Sequence, residues 1–441
     1  MSLNDRVTDV LPAVLTDLKR LIMIPSISSM PEHDDNVLSA ADGVANLLRD
    51  IGCPEVRMLH VPAGKPAVFG HYPAPAGAPT VLLYAHYDVQ PAGDDTAWTS
   101  APFAPVERDG RLYARGSADD KGGIAVHLAA LRAFEGKPPV GVKFVIEGEE
   151  EIGSPSMGEI LDTYGEDLAA DIFVIADSVN WKVGEPSFTT TLRGMVDAEV
   201  TVSTLETGLH SGQFGGVVPD ALTALCRLLA TLHDDRGNVA IAGLTSNPDP
   251  AVDYDEDRLR EETGILDGVR WIGDGPASAR MWTRPAASVL AIDATPVKDA
   301  SNTLIPTARA KVSVRLAPGQ DADEAEAALR THLLANAPWG ARVEVEPGQN
   351  GSGSVISLDD DRARSAIDAF TEAFGVAPVE IGVGGSIPIV AEFADRNPGA
   401  LVLVTAVTDP MSRMHGIDES LDLGDLAKAA LAETLFLQRL A

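Results

Sequence analysis

Residues 80–84 (TVLLY) run into Ala85-His86-Tyr87-Asp88, residues 142–146 (VKFVI) into Glu149-Glu150-Glu151, and residues 172–176 (IFVIA) into Asp177. Unbroken apolar runs of this length, in place of polar–apolar alternation, predict strands covered on both faces, the habit of a mostly parallel sheet. Helical patterns lie between them. One follows Gly122 (GGIAVHLAALRAFEG), and another starts at Ser154-Pro155, where serine can cap and proline suits the first turn. The same style returns late in the chain, with a helix over 362–374, a strand over 401–407 and a closing helix from Leu423. The fold class read from this pattern is α/β, with a mostly parallel sheet in the larger domain.

The middle of the chain has a different rhythm. MVDAEVTVS, TARAKVSVRLAP and ARVEVEP alternate apolar and polar residues, and DALTALCRLLATLH and DEAEAALRTHLL read as helices. Alternation with one polar face marks an open sheet with helices on one side, so a smaller α+β domain is inserted in the larger one. A polar stretch rich in proline and glycine, residues 234–286, interrupts it. The expected boundaries are 1–188 and 348–441 for the two parts of the larger domain and 189–347 for the insert.

Two domains also suit 441 residues. Hydrophobic residues at 45% and charged residues at 22% place the chain among folded proteins, not disordered ones. A net charge of −31 repels phosphate backbones and anionic lipid, which argues against nucleic acid and membrane surfaces as partners. No apolar run approaches a membrane span, and two cysteines, Cys53 and Cys226, provide neither a disulfide framework nor a thiolate zinc site. The amino terminus lacks a basic-then-apolar leader pattern, so the expectation is a cytoplasmic protein.

In open α/β sheets ligands bind beyond the carboxyl ends of the strands. His86, Asp88, the glutamate triplet, Asp177 and a late His415 therefore converge although they are far apart in sequence. Singly, each has a plain explanation: Asp119 before a helix is an N-cap, a glutamate triplet is a solvated charge run, and a lone histidine is surface or core. His86 and Asp88 share a strand face, so Asp88 can hold and orient the imidazole. Together the residues form a set of two histidines and three or four carboxylates, which suits zinc, or manganese or cobalt, and holds two ions if one carboxylate bridges. Calcium, which prefers oxygen donors alone, fits less well.

Five separated motifs, LLYAHYDVQP, GRLYARGSADDKGG, IEGEEEIGS, the acid of IADS and the histidine of RMHGIDE, resemble the di-zinc aminoacylase, carboxypeptidase G and cytosolic (carnosinase-like) dipeptidase family of metallopeptidases. The resemblance covers nearly the whole chain. It implies that His86 and Asp177 bind one metal, Glu151 and His415 the other, that Asp119 bridges, and that Glu150 is the general base. It also implies a cis peptide between Asp119 and Asp120. The forms His86-Tyr87-Asp88-Val89-Gln90-Pro91 and Leu209-His210-Ser211-Gly212 look like the dipeptidase branch, and His210 would stabilise the oxyanion. Asn302, Arg315 and the Gly385-Ser386 loop match substrate-binding positions. A guanidinium fork is in any case the natural clamp for a peptide carboxylate.

In the dipeptidases of this family the inserted domains pair into a homodimer, and the histidine matching His210 reaches the partner's site. Two features depart from the family pattern. Three glutamates run together where a pair is usual, and Gly153-Ser154 anchors the register; Asp418-Glu419 stands where Asn-Glu is common. The expected activity is metal-dependent hydrolysis of dipeptides. An N-acyl-amino-acid deacylase or desuccinylase with the same centre is the nearest alternative, and a non-catalytic acidic metal-binding protein is the alternative of another class.

Overall fold

The computed structural model describes residues 1–62, 64–385 and 388–441. The chain forms two compact units. The first holds Met1–Thr190, Ile356–Ile381 and the carboxyl-terminal part of the chain; the second holds Thr191–Val355 and a short return segment from Gly382. The division between the compact units falls near 190 and 355. Strand Arg342–Gly351 continues past Pro347 through a bulge, and the short strand Ser354–Val355 follows it.

In the first unit a six-stranded sheet has the order Glu55–Leu59, Ala67–Tyr72, Gly141–Glu147, Thr80–His86, Ile172–Ile175, Leu401–Val404. The last four strands are mutually parallel, and the first two are antiparallel additions at one edge. Both faces are covered, as the unbroken apolar runs require. Val81, Leu83 and Ala85 point into the main core with helices Leu3–Ile22, Lys121–Ala133 and Leu423–Arg439. Tyr84, one residue out of phase, faces the other side, where its ring meets Phe393 of helix Pro388–Arg396. Helix Lys121–Ala133 is buried almost all round, which explains why its pattern is apolar throughout and not striped. The helix expected from Ser154-Pro155 begins later, at Met157, because Glu150–Ile152 first forms a short 3-10 turn.

The second unit is a four-stranded antiparallel sheet, ordered Ala286–Asp293, Thr307–Leu316, Gly194–Ser203, Arg342–Gly351, with helices Ala221–Ala230 and Ala322–Ala335 on one face. The alternation is that read from sequence: Val196, Ala198, Val200 and Val202 are buried with Ala308, Ala310, Val312 and Val314. The edge strand Ala286–Asp293 was not expected. It exposes Val289, Leu290 and Ile292, so its pattern lacks a buried phase to read. No helix among the described residues is long and apolar enough to cross a membrane.

Candidate metal centre

The parallel register aligns the strand ends. His86, the last residue of its strand, lies opposite Glu147, and Tyr84 lies opposite Ile175, which places Glu149–Glu151 and Asp177 in the loops at the same edge. His86 is fully buried. Its Nδ1 stands 3.1 Å from the Asp88 carbonyl and 3.4 Å from the Asp88 carboxylate. With Nδ1–H donating there, Nε2 turns its lone pair towards Asp119 Oδ1 at 3.1 Å and Asp177 Oδ1 at 3.9 Å. A lone pair and carboxylates at such range need a proton or a cation between them.

His415 repeats the arrangement. Its Nε2 is 3.1 Å from Asp119 Oδ2 and 3.1 Å from Glu151 Oε2. The two oxygens of Asp119 thus face two different histidines, as a bridging carboxylate must. One ligand atom each from His86, Glu150 and Asp177 lies within 4.8 Å of the others, and so does one each from His86, Asp119 and Glu151.

The electrostatics point the same way. Burial, reinforced by Asp119 and Glu151, pushes the Asp177 carboxyl up to about 7 against the pull of His86. Burial, then Asp177, raises Glu150 well above the carboxylate range. Burial would raise Asp119 too, but His415 and His86 hold it well below the usual range, and hydrogen bonds that His415 donates to Asp119 and Glu151 bring its own pKa up to about 10. This many acids crowded out of water are stable as anions only beside cations. The imidazole and carboxylate donors fit a pair of borderline divalent ions, and the residues present fit such a centre.

A second set of contacts fixes the ligands. Asp88, itself buried, accepts the backbone N–H groups of Glu150 (3.3 Å) and Glu151 (3.1 Å), so one carboxylate sets both the His86 ring and the glutamate turn. Gln90 donates from Nε2 to Glu151 Oε2 at 2.8 Å and from its backbone to Oε1 at 3.1 Å. Glu149 is buried with its carboxylate on the Ser156 hydroxyl, away from this cluster, which leaves Glu150 and Glu151 as the pair that faces it. The Asp119-Asp120 peptide is cis. Asp120 accepts from His86 N at 3.3 Å and caps helix Lys121–Ala133 through Gly123 N at 3.2 Å. A Cβ at 123 would stand 2.4 Å from Asp120 Oδ1, so only glycine admits that cap.

Asp418 and Glu419 have separate jobs. Asp418 binds Thr99 near the surface, through backbone N–H (2.9 Å) and hydroxyl (2.7 Å). Glu419 is wholly buried, pairs with Arg115 at 2.6 Å, and accepts the backbone N–H groups of Gly116, Ala118 and Asp119. It therefore holds the loop that presents Asp119. Sequence reasoning did not assign Arg115, Gln90 or Glu419. All three stand inside the quoted motifs, but nothing in a single sequence tells a buried ion pair from two surface charges.

The remaining candidates lie in the second unit. His210 is exposed, accepts from Gly212 N at 3.1 Å, and sits opposite Thr303 in a two-residue ladder. Asn302 is its neighbour, since its carbonyl accepts Ser211 N at 2.9 Å. Arg315 is partly buried near the end of strand Thr307–Leu316. Gly385 closes the described part of its loop, and Ser386 lies outside the described residues.

A parallel α/β sheet whose strand ends gather two histidines and four carboxylates defines a metallohydrolase-like centre. The chain belongs to the family described as Peptidase family M20/M25/M40, which it matches over residues 82–439. It is 37% identical to a cysteinylglycine-S-conjugate dipeptidase of Corynebacterium striatum over 99% of this chain and 97% of that protein. It is 28% identical to the Cys-Gly metallodipeptidase dug1 of Schizosaccharomyces pombe, over 97% and 95%. Among solved structures it superposes on the di-peptidase Dug1p of Saccharomyces cerevisiae with a TM-score of 0.85 at 24% identity, covering 99% of this chain and 98% of that one. This chain is a metallopeptidase of that family.

Proposed function

We propose that the protein hydrolyses dipeptides at a centre of two divalent ions, zinc by the donor set, working in the cytoplasm. The observation that carries this is the geometry of Asp119, one oxygen on His86 and the other on His415. The similarity to a dipeptidase at 37% identity over nearly the full length supports the substrate class. His86 and Asp177 would hold one ion, Glu151 and His415 the other, and Asp119 both. Ions held there would supply an acidified water and a Lewis acid for the scissile carbonyl.

Glu150 stands in the same cluster without being needed as a ligand. Its place beside His86 and Asp177 suits a base that takes the water's proton and returns it to the leaving amine. Asp88 fixes the His86 tautomer. His210 donates to the oxygen that gains charge, and Arg315, Asn302 and the loop at Gly385 and Ser386 bind the substrate ends. A homodimer through the second unit is supported by the edge strand Ala286–Asp293, whose Val289, Leu290 and Ile292 are 41%, 59% and 46% exposed.

The test is a pair of isosteric changes. Glu150→Gln should lower dipeptide turnover by about 10²–10⁴-fold while metal content stays near two ions per chain, as in the wild type. Glu149→Gln, on the Ser156 side, should spare turnover. The opposite result moves the base by one residue, and faster cleavage of acetyl or succinyl amino acids than of any dipeptide transfers the chain to the deacylases.

A further inference from the structure

Most arginines of this acid-rich chain have a carboxylate at hand; Arg193 and Arg315 have no ion pair among the described residues. Arg193 is only 9% exposed, yet its hydrogen bonds among the described residues all go to backbone carbonyls and all are long: Nε to Gly384 at 3.4 Å, Nη1 to Arg280 at 3.3 Å and to Arg284 at 3.5 Å. A guanidinium paired with an anion sits nearer 2.7–2.9 Å. Nη2 makes no hydrogen bond among the described residues and faces the loop backbone, where a Cβ on Gly384 would stand 2.7 Å from it. The glycine at 384 is what lets that backbone lie against the charge.

The sheet brings the second charge alongside. Arg315 lies opposite Met195 on one neighbouring strand and Ala286 on the other, two residues from Arg193 and Arg284 respectively. Burial lowers both guanidinium pKa values, Arg193 to about 10, with Arg315 adding to the effect on Arg193. Two adjacent, partly desolvated cations without an acid are an unfavourable arrangement in the ligand-free protein. A carboxylate relieves it, because its two oxygens offer about four acceptor sites, enough for two forks.

We infer that Arg193 and Arg315 together form a double-guanidinium site for the substrate's terminal carboxylate, with Arg193 a specificity-determining residue. The inference rests on the dipeptidase reading for the identity of its ligand. A purely structural Arg193, one that only ties three carbonyls together, makes a different prediction, since its loss would harm all substrates alike.

The experiment compares a free dipeptide with the same dipeptide as its carboxyl-terminal amide, in wild type, Arg193→Met and Arg193→Lys. Loss of a charge-assisted contact should raise KM for the free acid about ten- to a hundredfold, with kcat and the amide's kinetics within about threefold. Lysine, which keeps the charge without the fork, should fall between and remains informative if the methionine variant does not fold. Calorimetry with a reduced-bond dipeptide analogue and its amide gives a readout independent of turnover. A wild type that cleaves no dipeptide but prefers the free-acid analogue, with the preference weakened in Arg193→Lys, removes the dipeptidase reading and keeps the site. Equal losses on acid and amide, unchanged kinetics in both variants, or a wild type that binds the two analogues alike would each overturn the inference.

Discussion

Replacing Glu419 by glutamine tests whether the buried support of Asp119 matters as much as the ligands. The side chain is wholly shielded and its carboxylate meets four donors. Oε2 takes Arg115 Nη1 at 2.6 Å and Gly116 N at 3.1 Å, and Oε1 takes Ala118 N at 3.0 Å and Asp119 N at 3.2 Å. A glutamine keeps one oxygen, so either orientation of its amide turns an NH2 group on two N–H donors. In both orientations Arg115, 1% exposed, loses its counter-charge and keeps only neutral acceptors, among them the carbonyls of Pro91 at 3.2 Å and Gly416 at 3.3 Å. Breaking a buried pair by removing one charge costs about 3–5 kcal/mol, a large part of the roughly 5–15 kcal/mol by which domains are stable. Because both pairs of donors lie in the loop that presents Asp119 or pack behind it, either orientation disturbs that loop, and metal affinity should also fall, by about 10–100-fold, as for other residues that orient ligands. Urea unfolding of the apo protein and chelator-buffered metal titration measure the two effects separately. Asp418→Asn is the control, since its Thr99 contacts lie near the surface and should contribute less than about 1 kcal/mol. A Glu419→Gln protein as stable as that control, with wild-type metal affinity, would refute the reasoning.

Two further outcomes follow from separate parts of the molecule. His210→Ala and Glu150→Gln should each be nearly inactive, yet co-expression should restore roughly a quarter of wild-type activity, because half the dimers are mixed and one of their two sites pairs an intact Glu150 with the partner's His210; verified mixed dimers without recovered activity would exclude the shared site. For His127, burial alone lowers the pKa, but Glu433 at 2.8 Å raises it above the ordinary value. The folded pKa is raised, so the stability His127 contributes is fully present below its unfolded pKa of about 6.5 and is lost as pH rises through the folded value. Unfolding midpoints of His127→Gln measured across that window should vary less with pH than those of the wild type, and identical profiles would dismiss the pair.

The parts of the fold legible in the sequence were those where burial is unambiguous. A strand covered on both faces reads as an unbroken apolar run, and the runs at 80–84, 142–146 and 172–176 became the three strands whose ends carry the site. A half-buried strand reads by alternation, and the second unit's three core strands did. The edge strand Ala286–Asp293 has neither signature, since three of its apolar residues face out, and it fell at the end of a stretch that reads as loop. A proline usually ends a ladder. Here the strand bulges between Pro347 and Asn350, and Gly348 lets the backbone lie against the Asp197 carboxylate.

The candidate ligands were legible because a metal needs particular atoms, and so particular residue types at strand ends. Their supports were not, because the work they do is defined by burial. Asp418 and Glu419 are adjacent acids of the same charge, yet one holds a surface threonine and the other neutralises a buried arginine behind the Asp119 loop. The glutamate triplet makes the same point. Three identical residues in a row divide into one on Ser156, one turned to the metal-site cluster, which we propose as the base, and one held by Gln90 against His415, because a 3-10 turn rotates each to a different side. What separates a ligand, a base and a structural acid here is the direction in which the backbone aims it, and the parallel sheet sets that direction.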